Sequence, residues 1–374
     1  MNMLDIKDKR LNDMTFIDLF AGLGGFRLAL ESFGANCVFS SEWDEPVRKV
    51  YANNFGDMPA GDITKIDESD IPAHDILCAG FPCQAFSISG KQRGFEDSRG
   101  TLFFDVARIA KYHKPKVIFL ENVKNFAVHD NGKTLQVVKN TLEELGYHIY
   151  YKVLNAADYG VAQKRERIYI VCFRNDLNIH NFNFPEPVKL TKHVEDYLLN
   201  DDSLTNKYIV NRPDITMNKE IDNKYSSKSI RLGIVNKGGQ GERIYSTKGI
   251  AITLSAYGGG MFAKTGGYLI NGHIRKLHPR ECARLMGFPD WYKMDTSESQ
   301  AYKQFGNSVV VNVLQLITDK ICEALKGVNT LDLETLGSKP PKKIGRNWVI
   351  DSDEPYIKMK KGELQMKGEM HNAG

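Results

Sequence analysis

The sequence has no apolar run near the roughly 20 residues that a membrane-spanning helix needs. Its first residues, Met1 to Arg10, are charged where a secretory leader is apolar. Membrane and secreted classes are therefore disfavoured, and a cytoplasmic protein is expected. The six cysteines, Cys37, Cys78, Cys83, Cys172, Cys282 and Cys322, contain no C-x-x-C pair and have no clustered histidines beside them. Both the usual zinc signature and a disulfide scaffold are missing, so no metal is expected. A strong charge excess is also absent. The net charge of +4 is compatible with a nucleic-acid partner but does not point to one. There is no internal repeat.

A chain of 374 residues exceeds what one compact core usually holds, so one large domain with a smaller second one is expected. The first half alternates short apolar runs with helical patterns, the mark of a doubly wound, mostly parallel α/β sheet. Strands are predicted at Thr15–Phe20, Cys37–Ser41, Asp75–Ala79, Val117–Leu120, Tyr147–Leu154 and Ile168–Phe173. Helices are predicted at Phe26–Phe33, Pro46–Asn54, Thr101–Tyr112 and Lys133–Leu145. This domain is expected over residues 1–190. Residues 191–275 turn polar and then glycine-rich, which predicts a small, loop-rich lobe with little regular structure. Helical patterns return over 276–326, at Pro279–Met286 and Asn307–Leu325, and are expected to pack back on the first domain. Residues 327–374 open with a linker-like break, Pro340-Pro341 among Lys339, Lys342 and Lys343, and a mobile tail is expected.

Chemistry is concentrated at predicted strand ends, where ligands collect in such sheets. Phe20-Ala21-Gly22-Leu23-Gly24-Gly25 joins the first strand to the first helix. Glycines there permit a sharp turn and close backbone approach, but the G-x-G-x-x-G spacing of dinucleotide sites is missing. The second strand ends in Ser41-Glu42-Trp43. Glu42 suits ribose hydroxyls and Trp43 an adenine face; the alternative is a surface acid and a core tryptophan. Asp62-Ile63 would suit the adenine edge. Cys83, in Phe81-Pro82-Cys83-Gln84, is placed as a nucleophile, or is simply a buried thiol. Glu121, in Glu121-Asn122-Val123, can hold or donate a proton if burial raises its pKa. Arg165 and Arg167, in Gln163-Lys164-Arg165-Glu166-Arg167, can orient that acid or clamp a base or phosphate.

In order along the chain, DLFAGLGG, SEW, GFPCQAFSISG, ENV, QKRERIY, RKLHPRECARLMGFP and QFGNSVV resemble the motifs of the cytosine-5 DNA methyltransferases. The match runs from about Phe16 to about Leu325. It includes the variable segments GGQGERIYST and TLSAYGGG, which resemble those of members acting at GCGC. The resemblance implies an S-adenosylmethionine-dependent, Rossmann-like fold with a target-recognition domain at 191–275. It implies Cys83 as the thiolate adding to cytosine C6, Glu121 holding N3 and the amino group, Arg165 contacting the base and Arg167 supporting the site. It implies a cofactor site of Phe20, Leu23, Gly25, Glu42, Trp43, Asp62, Ile63, Pro82, Leu102, Asn307 and Ser308, with S-adenosylhomocysteine as product. The target cytosine must leave the stack to be reached. By resemblance, Ser89 in a mobile loop from Pro82 to Gly100 and Gln240 from the second lobe fill the gap, and Arg99 holds the loop on double-stranded DNA. Arg243 would read a guanine, since arginine pairs bidentately with guanine O6 and N7; Tyr257 and Gly258–Gly260 would form the other recognition loop. A monomer, serving a type II restriction-modification system beside a cognate endonuclease that it does not contact, is the implied setting. The competing expectations are a tRNA cytosine-5 methyltransferase and a catalytically inactive DNA-binding protein.

Overall fold

The structure is a computed structural model that describes residues 8–82, 102–218 and 224–326, and four short strands beyond them. Its larger sheet contains β1 (Thr15–Leu19), β2 (Asn36–Ser41), β3 (Ile76–Ala79), β4 (Val117–Val123), β5 (Tyr147–Asn155) and β6 (Glu166–Arg174), in the order β2-β1-β3-β4-β6-β5. From β2 to β4 the strands pair in parallel; β6 runs antiparallel to both β4 and β5. The helices are α1 (Gly25–Glu31), α2 (Glu45–Phe55), α3 (Leu102–His113), α4 (Lys133–Glu144), the single turn α5 (Asp202–Thr205), α6 (Pro279–Leu285), α7 (Glu298–Asn307) and α8 (Val311–Lys326).

The central strands are apolar on both faces because both faces are covered. Phe16, Cys78 and Phe119 point into one core with Phe26 of α1 and Leu314 of α8. Ile17, Leu77 and Ile118 point into the other with Val106 of α3 and Val138 of α4. The chain runs from β1 outward to β2, then crosses back to β3 on the other side of β1. That reversal opens a crevice at the carboxyl ends of β1 and β3, where Leu19 and Ala79 are register partners.

Two predicted boundaries need correction. β4 does not stop at Leu120. It stays paired with β6 as far as Val123↔Arg167, so Glu121 and Asn122 lie within the strand. No single helix spans Asn307–Leu325. Asn307 is the last residue of α7, Ser308 is extended with ψ 167°, and α8 begins at Val311.

The lobe expected to be loop-rich contains a second sheet: β7 (Ile215–Met217), β8 (Arg231–Val235), β9 (Arg243–Ser246), β10 (Gly267–Ile270) and β11 (His273–Lys276), in the order β11-β10-β9-β8-β7. One small core of Leu232, Val235, Ile244 and Phe262 belongs to this sheet alone. Tyr245, Leu254 and Tyr268 instead join the core shared with α1 and α8, so the two sheets share apolar packing. The return to the first sheet is anchored by a buried pair, Arg275 Nη2 to Glu281 Oε1 at 2.7 Å, on either side of the start of α6. Removing one partner of such a pair costs about 3–5 kcal/mol. Beyond α8, β12 (Lys342–Ile344) pairs antiparallel with β13 (Asn347–Val349), and β14 (Lys358–Lys360) with β15 (Glu363–Gln365).

Candidate active site

The crevice begins at the glycine turn after β1. Phe20 takes a left-handed φ of +55°, an uncommon backbone state for a bulky residue and one that concentrates at functional sites. A side chain at Gly25 would place its Cβ 2.4 Å from Val309 Cγ2, so only glycine lets the segment after α7 close over this turn. The Tyr292 hydroxyl donates to the Leu23 carbonyl across 2.7 Å and fixes the turn from beneath. Glu42 reaches back from the end of β2. Its Oε2 accepts the Gly22 N–H at 3.0 Å and its Oε1 the Asp44 N–H at 2.9 Å. Burial raises its pKa, against those backbone bonds. The next residue, Trp43, is 79% exposed: an aromatic face left bare beside a buried acid, not a core tryptophan. Ala60 bridges to Ser41 and brings Asp62 and Ile63 alongside. Asp62 caps a short turn by accepting from the Thr64 N–H and hydroxyl, bonds that lower its pKa.

Two carboxylates, an exposed aromatic face and a tight glycine turn gather at this crevice, groups whose chemistry suits ribose hydroxyls and a purine ring. Pro82 is exposed at the end of the β3 segment, and half-buried Leu102 opens α3. Asn307 is exposed; Ser308 is buried beside it.

The second cluster sits at the end of β4. Glu121 is buried behind Gly80, and Arg167 Nε lies 3.1 Å from its Oε1. Desolvation raises the Glu121 pKa; Arg167 and then Arg165 oppose the rise. Asn122 donates from its side-chain amide to the Phe81 carbonyl across 2.9 Å, clamping the backbone just before Pro82. Cys83, Ser89 and Arg99 lie outside the described residues.

Arg165 is a structural hub. Its Nη1 donates to the Leu254 carbonyl at 3.0 Å, and its Nη2 to the carbonyls of Gly306 at 3.0 Å and Ser308 at 2.5 Å. Its Nε is buried with no partner among the described residues, and burial lowers its pKa to about 9. Gln163 is fully buried next to it. Its amide donates to the Leu285 carbonyl at 2.8 Å, and its Oε1 accepts the Leu254 N–H at 3.2 Å. Backbone bonds from Lys164 N to Ala251 O and from Ala251 N to Ala162 O, both 2.8 Å, complete the stitching.

Residues 14–323 match the family described as C-5 cytosine-specific DNA methylase. The chain belongs to that family. It is 67% identical to the Type II methyltransferase M.HhaI of Haemophilus parahaemolyticus, over 86% of this chain and 98% of the relative. It is 46% identical to the Type II methyltransferase M.SsoII of Shigella sonnei, over 83% and 80%. The crystal structure of S. pombe Dnmt2 methyltransferase, 20% identical, covers 84% of this chain and 99% of its own with a TM-score of 0.65, a likeness of fold. The protein is therefore a DNA cytosine-5 methyltransferase, and membership of the family implies S-adenosylmethionine as methyl donor.

In this methylase the two segments expected to read DNA are in contact. Gln240 lies exposed in a turn before β9. A Cβ at Gly241 would stand 2.1 Å from the Gly259 carbonyl, so glycine is what allows that turn to meet the Gly258–Gly260 loop. Half-buried Arg243 opens β9, and its Nε reaches the Gly238 carbonyl at 3.3 Å. Tyr257 is 72% exposed.

Several residues that organise the methylase site were not assigned roles from sequence. Asn122 and Gln163 lie inside quoted motifs, and the available signal was a polar residue interrupting an apolar stretch. Lys303 of α7 pairs with Asp44 at 3.1 Å and so holds the Glu42 segment. Asp18, fully buried in β1, has no close hydrogen-bond partner for either carboxyl oxygen among the described residues, and desolvation raises its pKa well above the usual range.

Proposed function

We propose that the enzyme methylates carbon 5 of the inner cytosine of GCGC in duplex DNA, within a type II restriction-modification system. It would act as a cytoplasmic monomer, with a cognate endonuclease sharing the site but not touching the methylase. The observation that carries this reading is the 67% identity extending over 98% of a Type II methyltransferase. Residues 191–275 are the target-recognition domain in this reading. Its segment from Ala251 to Gly260 is bonded directly to the strand-end motif that carries Arg165, which supports a route from base reading to chemistry.

Phe20, Leu23, Gly25, Pro82, Leu102, Asn307 and Ser308 would enclose the methyl donor, Glu42 would hold the ribose hydroxyls, Trp43 would face the adenine, and Asp62 and Ile63 would meet its edge. S-Adenosylmethionine, when bound, supplies an electrophilic methyl group. The chain supplies the rest. The Cys83 thiolate adds to C6 of a cytosine turned out of the stack, and the displaced electron pair makes C5 nucleophilic. Glu121, its proton held more tightly by burial, donates to N3 as charge develops there. Arg167 orients Glu121, and Arg165 offers its free Nε toward the base. After C5 has taken the methyl group, loss of the C5 proton to solvent and departure of the Cys83 thiolate restore the 5,6 double bond, and N3 returns its proton to Glu121. Ser89 and Gln240 fill the space left by the base, and Arg99 secures the segment around it. Arg243 reads a guanine, and Tyr257 with Gly258–Gly260 completes the recognition surface.

Bisulfite sequencing of a plasmid treated with enzyme and S-adenosylmethionine tests the specificity. Protection confined to the inner cytosine of GCGC is expected. Arg243→Ala is expected to relax one guanine by roughly 1–3 kcal/mol. Protection at another sequence would overturn the site assignment, and methylation of tRNA in preference to duplex would overturn the substrate.

A further inference from the structure

Three bonds run from α3 to the segment that carries Asp62 and Ile63. Arg108 donates from Nη2 to the Ile63 carbonyl at 2.7 Å and from Nη1 to Glu68 Oε2 at 2.7 Å. Its Nε is aligned by Asp105, on the same helix, at 2.9 Å. Further along α3, His113 Nε2 stands 2.9 Å from the Glu68 carbonyl. The inner end of the segment has its own tether, Ala60 N to Ser40 O at 2.8 Å. The outer end depends on α3.

Asp62 shows what this grip controls. Both Thr64 donors fall on Oδ1, at 3.1 and 2.8 Å, whereas among the described residues Oδ2 has an ion-pair contact with Lys65 Nζ at 3.7 Å and no hydrogen bond. One carboxylate oxygen thus stays open to a ligand, and its direction follows the backbone turn that Arg108 holds at Ile63. The planar fork of arginine serves three acceptors at once here, which a lysine cannot reproduce.

We propose that Arg108 is a positioning residue that sets the selectivity of the methyl-donor pocket for adenine, by fixing the turn that presents Asp62 and Ile63. The inference rests on the reading of those two residues as the adenine edge. Adenine offers an amino donor to the open Asp62 oxygen; a 6-oxopurine offers a carbonyl oxygen, which the carboxylate repels.

The test is calorimetric binding of S-adenosylhomocysteine and S-inosylhomocysteine to the full chain, as wild type, Arg108→Met, Arg108→Lys and Asp62→Ala. Wild type is expected to prefer the adenine ligand by roughly 10–100-fold, the range for one hydrogen bond to a charged group. Arg108→Met is expected to lose most of that preference by weakening the adenine ligand alone, and Arg108→Lys to fall between. Equal weakening of both ligands would mark Arg108 as merely structural and overturn the proposal. Preference lost in Asp62→Ala but intact in both Arg108 variants would overturn it while leaving the adenine-edge reading in place. Preference intact in all three variants would overturn both. Preference lost in the Arg108 variants but kept in Asp62→Ala would support positioning through the Ile63 backbone and remove Asp62 from the adenine edge.

Discussion

Arg167 Nε lies 3.1 Å from Glu121 Oε1, across the antiparallel pairing of β4 with β6. Burial favours the proton on Glu121, and Arg167 is the leading influence against it. The site therefore holds an acid whose proton affinity is set by two opposed causes.

That balance makes the pH dependence of turnover a direct readout. If protonated Glu121 donates to N3, activity falls as pH rises through its raised pKa. Removing Arg167 removes the main opposing charge, so the pKa rises further and the protonated form persists to higher pH. Arg167→Met is therefore expected to move the alkaline limb of the single-turnover rate upward in pH while lowering the maximum rate. Glu121→Gln is expected to abolish that limb and to slow methyl transfer by roughly 10²–10⁴-fold, the usual contribution of a positioned acid or base. Single-turnover methylation from pH 5 to 9 checks both. An unchanged limb in Glu121→Gln would assign the titration to another group.

Asn122 holds the Phe81 carbonyl at 2.9 Å from inside β4, so it acts on the backbone that leads to Cys83. Asn122→Ala leaves the cofactor turn untouched. We expect kcat to fall roughly 10-fold or more, as misplacement of a reacting group implies, with a smaller rise in the KM for S-adenosylmethionine, because the same bond holds the backbone before Pro82. A rise in KM with normal kcat would place Asn122 in cofactor binding instead.

Asp18 yields a prediction about stability. Its folded pKa lies well above the usual 3.8, chiefly through desolvation, with Arg27 opposing and Glu42 and Glu31 adding to the rise. Between the unfolded and folded values the unfolded chain has lost this proton and the folded chain retains it. Stability then falls as pH rises through that window, by about 1.4 kcal/mol per pH unit. Asp18→Asn removes the titration. Its melting temperature relative to wild type should therefore increase as pH rises above the usual carboxylate range. A difference that stays constant with pH would contradict the buried, partnerless carboxyl.

The parallel half of the sheet is legible in sequence because its strands are short apolar runs, closed by glycine or polar residues, with amphipathic helices between them. β4 is read two residues short of Asn122 because Glu121 and Asn122 are polar, yet pairing with β6 carries the strand past them. α7 is invisible to an apolar pattern, so its last residue, Asn307, reads in sequence as the start of the next helix. The second sheet hides because its strands are short and glycine turns separate them. Within the site, residue types at strand ends indicate the Glu42 and Glu121 clusters. They do not indicate which arginine meets Glu121. Nor can they reveal that Arg165 bonds to Leu254, 89 residues away, since no local pattern encodes a contact between distant loops.

Covalent catalysis by Cys83 at a specific cytosine is the step on which the proposed chemistry turns. A duplex carrying one GCGC site with 5-fluorocytosine at the inner position tests it most directly. Fluorine cannot leave C5 as a proton does, so the thiolate cannot be expelled after methyl transfer. With S-adenosylmethionine, a protein–DNA complex is expected that survives denaturation, is lost in Cys83→Ser and is absent on a duplex without GCGC. No denaturation-stable complex on any duplex, from enzyme that methylates unmodified DNA, would contradict it.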